Sequence, residues 1–281
     1  MNILVIGSGG REHAIIKKLL QSEKNPTIFC TPGNGGIAKD ATCLECDILD
    51  SNEVCKVASK IKADLVVVAP DDPLAKGVVD ALNEKGFKTF GPNKAAAIIE
   101  SSKAFSKDLM KKYNIPTAKY ETFTNFEKAI EYIELNNVYP IVIKADGLAL
   151  GKGVIIAENF ENAKNAVDSM MNNKCFGESG NTVVIEEFLT GPEVSVLSFC
   201  DGKTVVPMIS SMDHKRALDD DKGLNTGGMG TIAPNPYYTE EIANFCEKEI
   251  FQKTVNAMIS EGRPFKGCLY FGLMLTKNGP K

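Results

Sequence analysis

The most informative segment of this chain is Val142-Ile-Lys-Ala-Asp-Gly-Leu-Ala-Leu-Gly-Lys-Gly-Val154. It leads from an apolar strand through a glycine-rich turn into a second apolar strand, with Lys144 and Lys152 on either side of the turn. Because the glycines leave backbone N–H groups uncovered, an anion can approach them closely. The pattern therefore predicts a β-hairpin that clamps a polyphosphate. A surface hairpin with solvated lysines is the simpler alternative, since Gly/Lys turns are common in hairpins.

The composition is that of an enzyme rather than a nucleic-acid or membrane binder. The chain has 281 residues, enough for about two domains. Its net charge of −4 disfavours binding to nucleic acid or to an anionic membrane. No apolar run reaches the roughly 18 residues that span a bilayer. The first residues, Met1 to Gly7, enter a strand without a basic leader, so we expect no signal peptide and a cytoplasmic location.

The cysteines predict reduced thiols rather than a metal site. Eight cysteines occur singly, apart from the pair Cys43 and Cys46, and no second CxxC pair is present. The whole chain holds only two histidines, His13 and His214. We therefore expect thiols without disulfides or bound metal.

Strand and helix signals alternate through residues 1–92, which favours an open parallel sheet covered on both faces. Function in such a sheet lies at the carboxyl ends of the strands. A helical linker, Lys94–Tyr113, follows, and the pattern then becomes α+β. We predict an N-terminal domain over residues 1–100 and a second domain over residues 101–281. The second domain contains a small lid subdomain at about residues 118–190. The pattern also predicts helices at about Ser51–Lys60, Leu74–Lys85, Phe160–Met171 and Glu240–Ser260.

The first turn, Gly7-Ser-Gly-Gly-Arg-Glu12, resembles a dinucleotide-binding fingerprint but departs from it. Glu12 replaces the third glycine, and the second strand ends at Cys30 without an acidic residue for a ribose. An NAD-dependent oxidoreductase is therefore disfavoured. A phosphate at this helix N-terminus is plausible, with Arg11 beside it. The alternative is that Arg11, Glu12 and His13 are ordinary residues at a helix start.

Two further segments carry polar chemistry. The strand that begins at Val183 ends in Glu186 and Glu187, whose carboxylates can bind a purine edge or a ribose. Phe188 and Leu189 supply an apolar wall, and Glu193 follows within reach of sugar hydroxyls. The loop Asn225-Thr-Gly-Gly-Met-Gly230, preceded by Asp213-His-Lys-Arg216, can wrap a small anionic substrate. The charged run Asp219-Asp-Asp-Lys222 is interpreted as a solvated loop.

A set of motifs resembles the phosphoribosylamine–glycine ligase family of the ATP-grasp superfamily. Each motif is weak alone, but they occur in the family's order along essentially the whole chain. They are Gly7-Ser-Gly-Gly-Arg-Glu-His13, Pro32-Gly-Asn34, Gly91-Pro92, Ser102-Lys-Ala-Phe105, the Ile143–Val154 hairpin, Glu186-Glu-Phe-Leu189, Asp213-His-Lys-Arg216, Asn225-Thr-Gly-Gly-Met-Gly230 and Leu269-Tyr-Phe-Gly-Leu-Met274.

The resemblance implies a Rossmann-like α/β domain with an open parallel sheet, followed by an incomplete ATP-grasp fold of the α+β type. It implies ATP-dependent ligation of glycine to 5-phosphoribosylamine through glycyl phosphate, a step of purine biosynthesis. The implied cofactors are ATP and Mg²⁺ (or Mn²⁺). The implied partners are these small molecules, with neither nucleic acid nor membrane. A separate C-terminal fragment is a further candidate partner. The rival hypothesis is an inactive nucleotide-binding or partner-binding remnant of the same fold.

The resemblance also implies roles for individual residues. Arg216 and Asn225 are expected at the phosphates and the transfer site. The expected ATP-binding residues are Lys103, Lys144, Gly151, Lys152, Gly153, Glu186, Glu187, Phe188, Leu189 and Glu193. The expected substrate-binding residues are Gly9, Gly10, Arg11, Glu12, His13, Pro32, Gly33, Asn34, Asp213, Lys215, Thr226, Gly227, Gly228 and Met229.

Two departures from the family pattern stand out. Pro70-Asp-Asp-Pro-Leu74 replaces the usual Pro-Glu-x-Pro-Leu, which puts the substrate contact of Asp71 in question. The strand Gly267–Thr276 enters an Asn-Gly turn shortly before Lys281. We expect no return strand, which leaves an unpaired, aggregation-prone edge. The family's magnesium ligands, a Glu and an Asn, would then lie beyond Lys281, so no metal ligand is expected in this chain.

Overall fold

Two units make up the structure, a computed structural model that describes residues 1–149, 153–214, 216–219, 222–226 and 228–281. The first unit comprises Met1–Ile98 and Arg263–Cys268. The second comprises Ile99–Gly262 and Leu269–Lys281.

The first unit is built on a parallel sheet with the strand order β3-β2-β1-β4-β5. The predicted open parallel sheet is therefore confirmed. Its strands are β1 (Asn2–Gly7), β2 (Thr27–Pro32), β3 (Thr42–Cys43), β4 (Leu65–Val68) and β5 (Thr89–Phe90). Its helices are α1 (Gly10–Leu19), α2 (Ser51–Lys60), α3 (Asp71–Lys76) and α4 (Val78–Glu84), with a 3₁₀ turn at Ile37–Lys39.

The central strand β1 is apolar throughout because both faces of the sheet are covered. Leu4 and Ile6 pack in one buried cluster with residues of α2 and α4, such as Val54. Ile3 and Val5 pack in a second cluster with Ile16 of α1. Successive side chains of a strand point to opposite faces, so a strand covered on both sides needs a continuous apolar run.

The helix predicted from Leu74 to Lys85 is in fact two helices. Gly77 separates α3 from α4 and has a φ of +91°, a left-handed conformation that favours glycine. The prediction of one helix was wrong because hydrophobic periodicity continues across this break.

The linker predicted as one helix from Lys94 to Tyr113 is also broken. It consists of α5 (Lys94–Ser101) and α6 (Lys103–Lys112), and Ser102 between them has an extended backbone. The Ser102 Oγ accepts a hydrogen bond from the Phe105 N–H at 3.1 Å, which caps α6. The break makes Lys103 the first residue of a new helix.

The second unit begins with a four-stranded sheet, here called the lid sheet, in the order β6-β9-β7-β8. All three strand pairs are antiparallel. The lid sheet packs against two helices around a buried core that includes Ile133, Ile143 and Val167. Its elements are β6 (Tyr120–Phe123), α7 (Phe126–Asn136), β7 (Ile141–Ala145), β8 (Val154–Ala157), α8 (Phe160–Met171) and β9 (Val183–Glu187), with a 3₁₀ turn at Gly177–Gly180.

The remainder of the second unit contains a sheet in the order β11-β10-β16-β17 and two small ladders, β12-β15 and β13-β14. The helix predicted from Glu240 to Ser260 contains a π-helical turn, Glu247–Phe251, between α9 and α10. The elements are β10 (Glu193–Asp201), β11 (Val205–Pro207), β12 (Met212–Asp213), β13 (Arg216–Leu218), β14 (Lys222–Asn225), β15 (Thr231–Ile232), α9 (Glu240–Cys246), α10 (Gln252–Ser260), β16 (Lys266–Thr276) and β17 (Gly279–Pro280).

The expectation that no return strand follows β16 was wrong. Gly279 and Pro280 pair with Thr276 and Leu275 in antiparallel register. The backbones of Met274 and Lys281 also exchange two hydrogen bonds, of 2.9 and 3.0 Å. On its other side β16 lies beside β10. A two-residue Asn-Gly turn is short enough for the pairing to begin immediately.

No helix in the described part of the chain is long and apolar enough to cross a membrane.

Candidate active site

The glycine-rich hairpin has the form predicted from the sequence. β7 and β8 pair in antiparallel register, with Lys144 opposite Val154 at the end of the ladder. The Ala145 N–H donates to the Gly153 carbonyl at 2.9 Å, which closes the base of the turn. A Cβ on the buried Gly153 would lie 2.7 Å from the Ala149 Cβ, so this position admits only glycine without rearrangement. The turn therefore needs glycine for close packing.

Asp146 joins this hairpin to the start of α6. Its Oδ1 accepts hydrogen bonds from the Ala104 N–H at 2.7 Å and from the Ser102 Oγ at 3.1 Å. The Lys103 N–H donates to the Asp146 carbonyl at 3.1 Å. The first N–H groups of a helix have no acceptor inside the helix, so a carboxylate that accepts their hydrogen bonds stabilises the helix start. Asp146 thereby fixes Lys103 beside the turn.

Lys103 reaches across this junction with its side chain. Its Nζ donates to the Gly147 carbonyl at 2.9 Å. Burial lowers the pKa of Lys103, and the nearby Asp146 carboxylate opposes that effect. The ammonium is therefore held at the turn in a partly desolvated position, where its charge acts more strongly on an anion than it would in water.

Lys144 and Glu186 form a charged contact that is largely covered from solvent. The Lys144 Nζ lies 2.9 Å from Glu186 Oε1, and the Glu186 side chain is only 5% exposed. The other oxygen, Oε2, lies 3.0 Å from the Nζ of Lys107, which is also buried. A solvated surface lysine is therefore a wrong interpretation of Lys144, because three quarters of its side chain is covered.

Glu187, the second carboxylate of the pair, faces a different environment. Its Oε1 accepts from the Lys281 Nζ at 2.7 Å and from the Lys119 N–H at 3.0 Å. Burial alone would raise the pKa of Glu187, but these hydrogen bonds outweigh it and the pKa is lowered. The strand turns polar at its end, as predicted, and its two carboxylates have different cationic partners.

The residues after β9 leave apolar surface open to solvent. Phe188 is 37% exposed and Leu189 is half-buried. Glu193 is exposed at the start of β10. An exposed aromatic ring can stack on a planar base, whereas the ammonium groups of Lys103 and Lys144 can bind its phosphates.

A concave surface on the same unit is lined by residues of β10, β12, β15 and β16. The Ser195 and Tyr270 hydroxyl oxygens are 3.3 Å apart there. Gly228 has a φ of +110°, and a Cβ on it would lie 3.0 Å from Asp213 Oδ1. The Gly228 N–H donates to the Thr226 Oγ1 at 3.1 Å, and Met229 is exposed. Polar groups therefore converge where the sequence predicted a small anionic substrate.

Some predicted site residues lie outside the described residues. They are Gly151, Lys152, Lys215 and Gly227, together with Asp220 and Asp221 of the predicted solvated loop. For Arg216 and Asn225 the backbone is described, and they are paired with each other across the β13–β14 ladder.

In the first unit, the turn between β1 and α1 is organised by Glu12. The Gly9 N–H donates to Glu12 Oε2 at 2.6 Å, and the Arg11 Nε lies 3.1 Å from Glu12 Oε1. Glu12 is 3% exposed, and a Cβ on Gly7 would lie 2.4 Å from its Cγ. The glutamate that replaces the fingerprint glycine thus occupies the turn itself, which explains why a dinucleotide pattern fails here. Arg11 stays exposed.

The neighbouring loop after β2 is held by Asn34 and His13. The Asn34 side chain donates to the Ser8 carbonyl at 2.7 Å and accepts from the Gly36 N–H at 2.7 Å. His13 Nε2 lies 2.6 Å from Asp40 Oδ2. Hydrogen bonds from His13 and then from Lys17 lower the pKa of Asp40. These contacts bring the motifs at residues 7–13 and 32–34 together at the predicted edge of the sheet.

Pro32 and Gly33 stand at the start of that loop. Pro32 follows a cis peptide bond. Gly33 has a φ of +72°, and a Cβ on it would lie 2.4 Å from the Cys43 Sγ. Gly10, at the start of α1, has open space where a Cβ would be.

Asp71 begins α3 directly after β4, at the same end of the parallel sheet. Desolvation by its surroundings raises the pKa of the Asp71 carboxyl, although the residue reaches solvent, and the charge of Arg11 opposes this shift. Asp71 and Arg11 therefore interact across the strand ends.

Sequence reasoning assigned no role to three residues of the second-unit site, Ser102, Asp146 and Lys107. Ser102 could have been found, because a serine three residues before a helical Phe N–H is an N-cap signal. Lys107 follows Lys103 by four residues and so lies on the same face of α6. Asp146 had no local signal, since its partners are 42 to 44 residues away.

Metal ligands do not assemble in the described ranges. No group of three or more His, Cys, Asp or Glu side chains is placed there to hold an ion. Those ranges do not include residues 150–152, 215, 220, 221 and 227.

Two family matches meet close to the boundary between the two units, which lies at Ile98 and Ile99. Residues 1–100 match the family described as "Phosphoribosylglycinamide synthetase, N domain". Residues 101–281 match "Phosphoribosylglycinamide synthetase, ATP-grasp (A) domain".

Curated relatives and solved structures agree with this match. The phosphoribosylamine–glycine ligase of Clostridium acetobutylicum is 50% identical over 279 residues, which are 99% of this chain and 67% of the relative. That of Halalkalibacterium halodurans is 49% identical, with 100% of this chain and 65% of the relative covered. The chain thus spans about two thirds of these relatives.

The crystal structure of phosphoribosylamine–glycine ligase from Thermotoga maritima superposes with a TM-score of 0.83 at 33% identity, covering 100% of this chain and 67% of that one. The biotin carboxylase domain of Hydrogenobacter thermophilus 2-oxoglutarate carboxylase, solved with MgADP, has a TM-score of 0.75 at 16% identity, over 99% of this chain and 61% of that one. At that identity the likeness concerns the fold alone.

The lid sheet with its glycine hairpin and paired lysines, following an open parallel sheet, defines an ATP-grasp protein. Proteins of this class bind ATP. The chain belongs to the phosphoribosylamine–glycine ligase family, as the order of its sequence motifs predicted.

Proposed function

We propose that this chain carries out the ATP-dependent joining of glycine to 5-phosphoribosylamine through glycyl phosphate, giving glycinamide ribonucleotide, ADP and phosphate. The supporting observation is the junction of Lys103, Asp146 and Lys144 at the glycine hairpin. A free carboxylate is a poor acyl donor, and transfer of the γ-phosphate supplies its leaving group. The protein's part is then to position the reactants and to neutralise charge.

The proposed nucleotide site lies in the second unit, where buried cations and exposed apolar residues bind different parts of the nucleotide. The ammonium groups of Lys103 and Lys144 contact phosphates, while hairpin N–H groups cover them. Phe188 and Leu189 border the adenine, and Glu193 faces the ribose. Mg²⁺ or Mn²⁺ bound with the triphosphate would neutralise part of its charge.

We propose roles at the transfer site and the substrate sites in the same way. Arg216 and Asn225 act at the transfer site. Glycine and the acyl phosphate occupy the concave surface near Asp213 and Gly228. In the first unit, the N-terminus of α1 with Arg11 takes the phosphate of 5-phosphoribosylamine, because free N–H groups and the helix dipole favour an anion there. Asn34 and His13 support that turn.

The test is ADP formation from ATP, glycine and freshly made 5-phosphoribosylamine. We expect ADP only when both substrates are present, together with one glycinamide ribonucleotide per ADP. ATP binding without any substrate-dependent turnover would instead support the rival function, a nucleotide-binding remnant of the fold.

Lys144→Ala provides the residue-level test of the nucleotide site. We expect ATP binding to weaken by about 1–3 kcal/mol, the usual range for loss of a charged hydrogen-bond partner. Isothermal titration calorimetry measures this change directly. Lys128→Ala, at an exposed lysine of α7, is the matched control and should leave the affinity unchanged. Equal affinity in wild type and Lys144→Ala would remove Lys144 from the nucleotide site.

A further inference from the structure

Lys107 is a buried lysine to which neither the motifs nor the proposed reaction assigns a role. It is 8% exposed, and its Nζ lies 3.0 Å from Glu186 Oε2. The same Nζ donates to the Thr117 Oγ1 at 2.8 Å and lies 5.8 Å from the centre of the Tyr120 ring. Three side chains therefore surround one ammonium.

One carboxylate thus serves two lysines. Glu186 presents Oε2 to Lys107 and Oε1 to Lys144, at 3.0 and 2.9 Å. A buried carboxylate that loses its counter-charge is strongly unfavourable. Burial lowers the pKa of Lys107, and the charge of Glu187, the second carboxylate at the end of β9, opposes this effect together with that of Glu186.

The two lysines are not held equally. The Lys107 side chain is 10% exposed and also hydrogen-bonds to Thr117, whereas the Lys144 side chain is 26% exposed. Lys144 is therefore the ammonium that can turn to an incoming anion, and Lys107 is the one that stays.

We propose that Lys107 is a positioning residue that keeps Glu186 compensated when Lys144 turns from Glu186 to a nucleotide phosphate. The proposal rests on the proposed function for the use of Lys144 by ATP. Without Lys107, Lys144 is the only ion-pair partner of Glu186 among the described residues, and its transfer to a phosphate leaves the buried carboxylate without one. Loss of Lys107 therefore weakens binding of the triphosphate and not binding of the base.

The variant that tests this is Lys107→Met, which keeps the apolar stem beside Tyr120 and removes the charge. We expect its ATP affinity to fall about tenfold, the factor that corresponds to one charged hydrogen bond. We expect its adenosine affinity to stay within about twofold of wild type, because adenosine makes no phosphate contact. Lys107→Arg should restore most of the ATP affinity, since it retains the charge.

A first arm of the experiment needs no nucleotide. The whole chain is treated with a small acetylating ester, and modification of Lys144 is followed by peptide mass spectrometry against Lys128 as internal standard. In Lys107→Met the Glu186 carboxylate no longer shares its charge with Lys107 and holds the Lys144 Nζ more tightly in the ion pair, so acetylation of Lys144 should slow several-fold. An unchanged or faster rate overturns the proposal, whatever the protein does with ATP.

The second arm measures ATP and adenosine binding by calorimetry at fixed magnesium. A parallel loss for both ligands, or no loss for either, overturns the proposal, because a merely structural role affects both alike. If wild type binds neither ligand, the proposed function fails and the acetylation arm still decides the role of Lys107.

A third comparison covers the case in which Lys107→Met does not fold. In Glu186→Gln there is no carboxylate left to compensate, so adding Lys107→Met should leave the ratio of ATP to adenosine affinity unchanged. This double variant has no unpaired buried carboxylate, which favours its folding. A further drop in that ratio would show that Lys107 acts on the phosphates without Glu186, and the proposal would be rejected.

Discussion

At the scale of single residues, the hairpin glycines matter because neighbouring atoms occupy the room that a side chain would need, and not only because glycine is conformationally free. A Cβ on Gly147 would lie 2.2 Å from the Ser179 Oγ and 2.8 Å from its Cβ. The Ser179 Oγ in turn donates to the Leu148 carbonyl at 3.2 Å. The residue after Asp146 is therefore limited by a neighbour 32 positions away in the chain.

Gly147→Ala should destabilise the second unit by about 1–3 kcal/mol, the range for overpacking a closed site. Thermal unfolding measured by circular dichroism reports this loss. Adding Ser179→Gly removes the clashing Cβ and should recover much of the stability. Gly230→Ala, where a Cβ meets open space, serves as the control. No loss of stability in Gly147→Ala would show that the Ser179 segment moves away freely.

The lowered pKa of Lys103 predicts a pH dependence for nucleotide binding. A phosphate contact needs the ammonium, so a lysine that loses its proton below the ordinary value of 10.5 must regain it on binding. ATP affinity should therefore fall as the pH rises through the lowered pKa, by about tenfold per unit beyond it. Lys103→Arg keeps its charge throughout, and the decline should move to higher pH.

Calorimetric titrations over the alkaline range in which the circular dichroism spectrum is constant measure this profile. Coincident profiles for wild type and Lys103→Arg would mean that another group, rather than Lys103, controls the decline.

At the scale of elements, the break between α5 and α6 is what places Lys103. Ser102 caps α6 and also donates to Asp146, so one hydroxyl joins a helix start to the hairpin turn. Asn125 caps α7 in the same way, because its Oδ1 accepts a hydrogen bond from the Lys128 N–H at 2.9 Å. Within the described residues, its side chain makes no hydrogen bond to the hairpin.

Ser102→Ala and Asn125→Ala should each cost about 1 kcal/mol of stability, the usual effect of a lost N-cap. Only Ser102→Ala should also weaken ATP binding, because Asp146 then loses one of the groups that hold Lys103 at the turn. Chemical denaturation and calorimetry on the two variants separate the effects. Equal ATP affinity in both would show that the Ala104 N–H alone is enough to hold Asp146.

At the scale of the whole molecule, the chain covers 67% of its Clostridium acetobutylicum relative. For the proposed function, we expect a Glu and an Asn beyond Lys281 to hold the magnesium. We expect substrate-dependent ADP formation to rise when the C-terminal third of that relative is supplied as a second polypeptide. Losing one well-placed electrostatic contact costs roughly 10²–10³ in rate, so the increase should be large.

The same assay without glycine is the background measurement for this complementation. Turnover by the 281-residue chain that equals the complemented rate would show that the described units suffice for catalysis.

The sequence by itself determined the family, the parallel sheet and the glycine-rich hairpin. These features are local: β1 is continuously apolar because both its faces are covered, and the hairpin pattern carries its own turn glycines. Helices α2 and α8 also begin and end where the pattern predicts, at Ser51–Lys60 and Phe160–Met171.

Only the tertiary structure decided where the charges meet. Periodicity continues through Ser102 and Gly77, so neither helix break was predicted, although each depends on one residue's backbone. Glu186 is a carboxylate at a strand end in the sequence, and only the packing of β9 against α6 and β7 shows that it neutralises two lysines. The physical reason is that a buried charge requires a partner, and the partners of Glu186 lie 42 and 79 residues away in the chain.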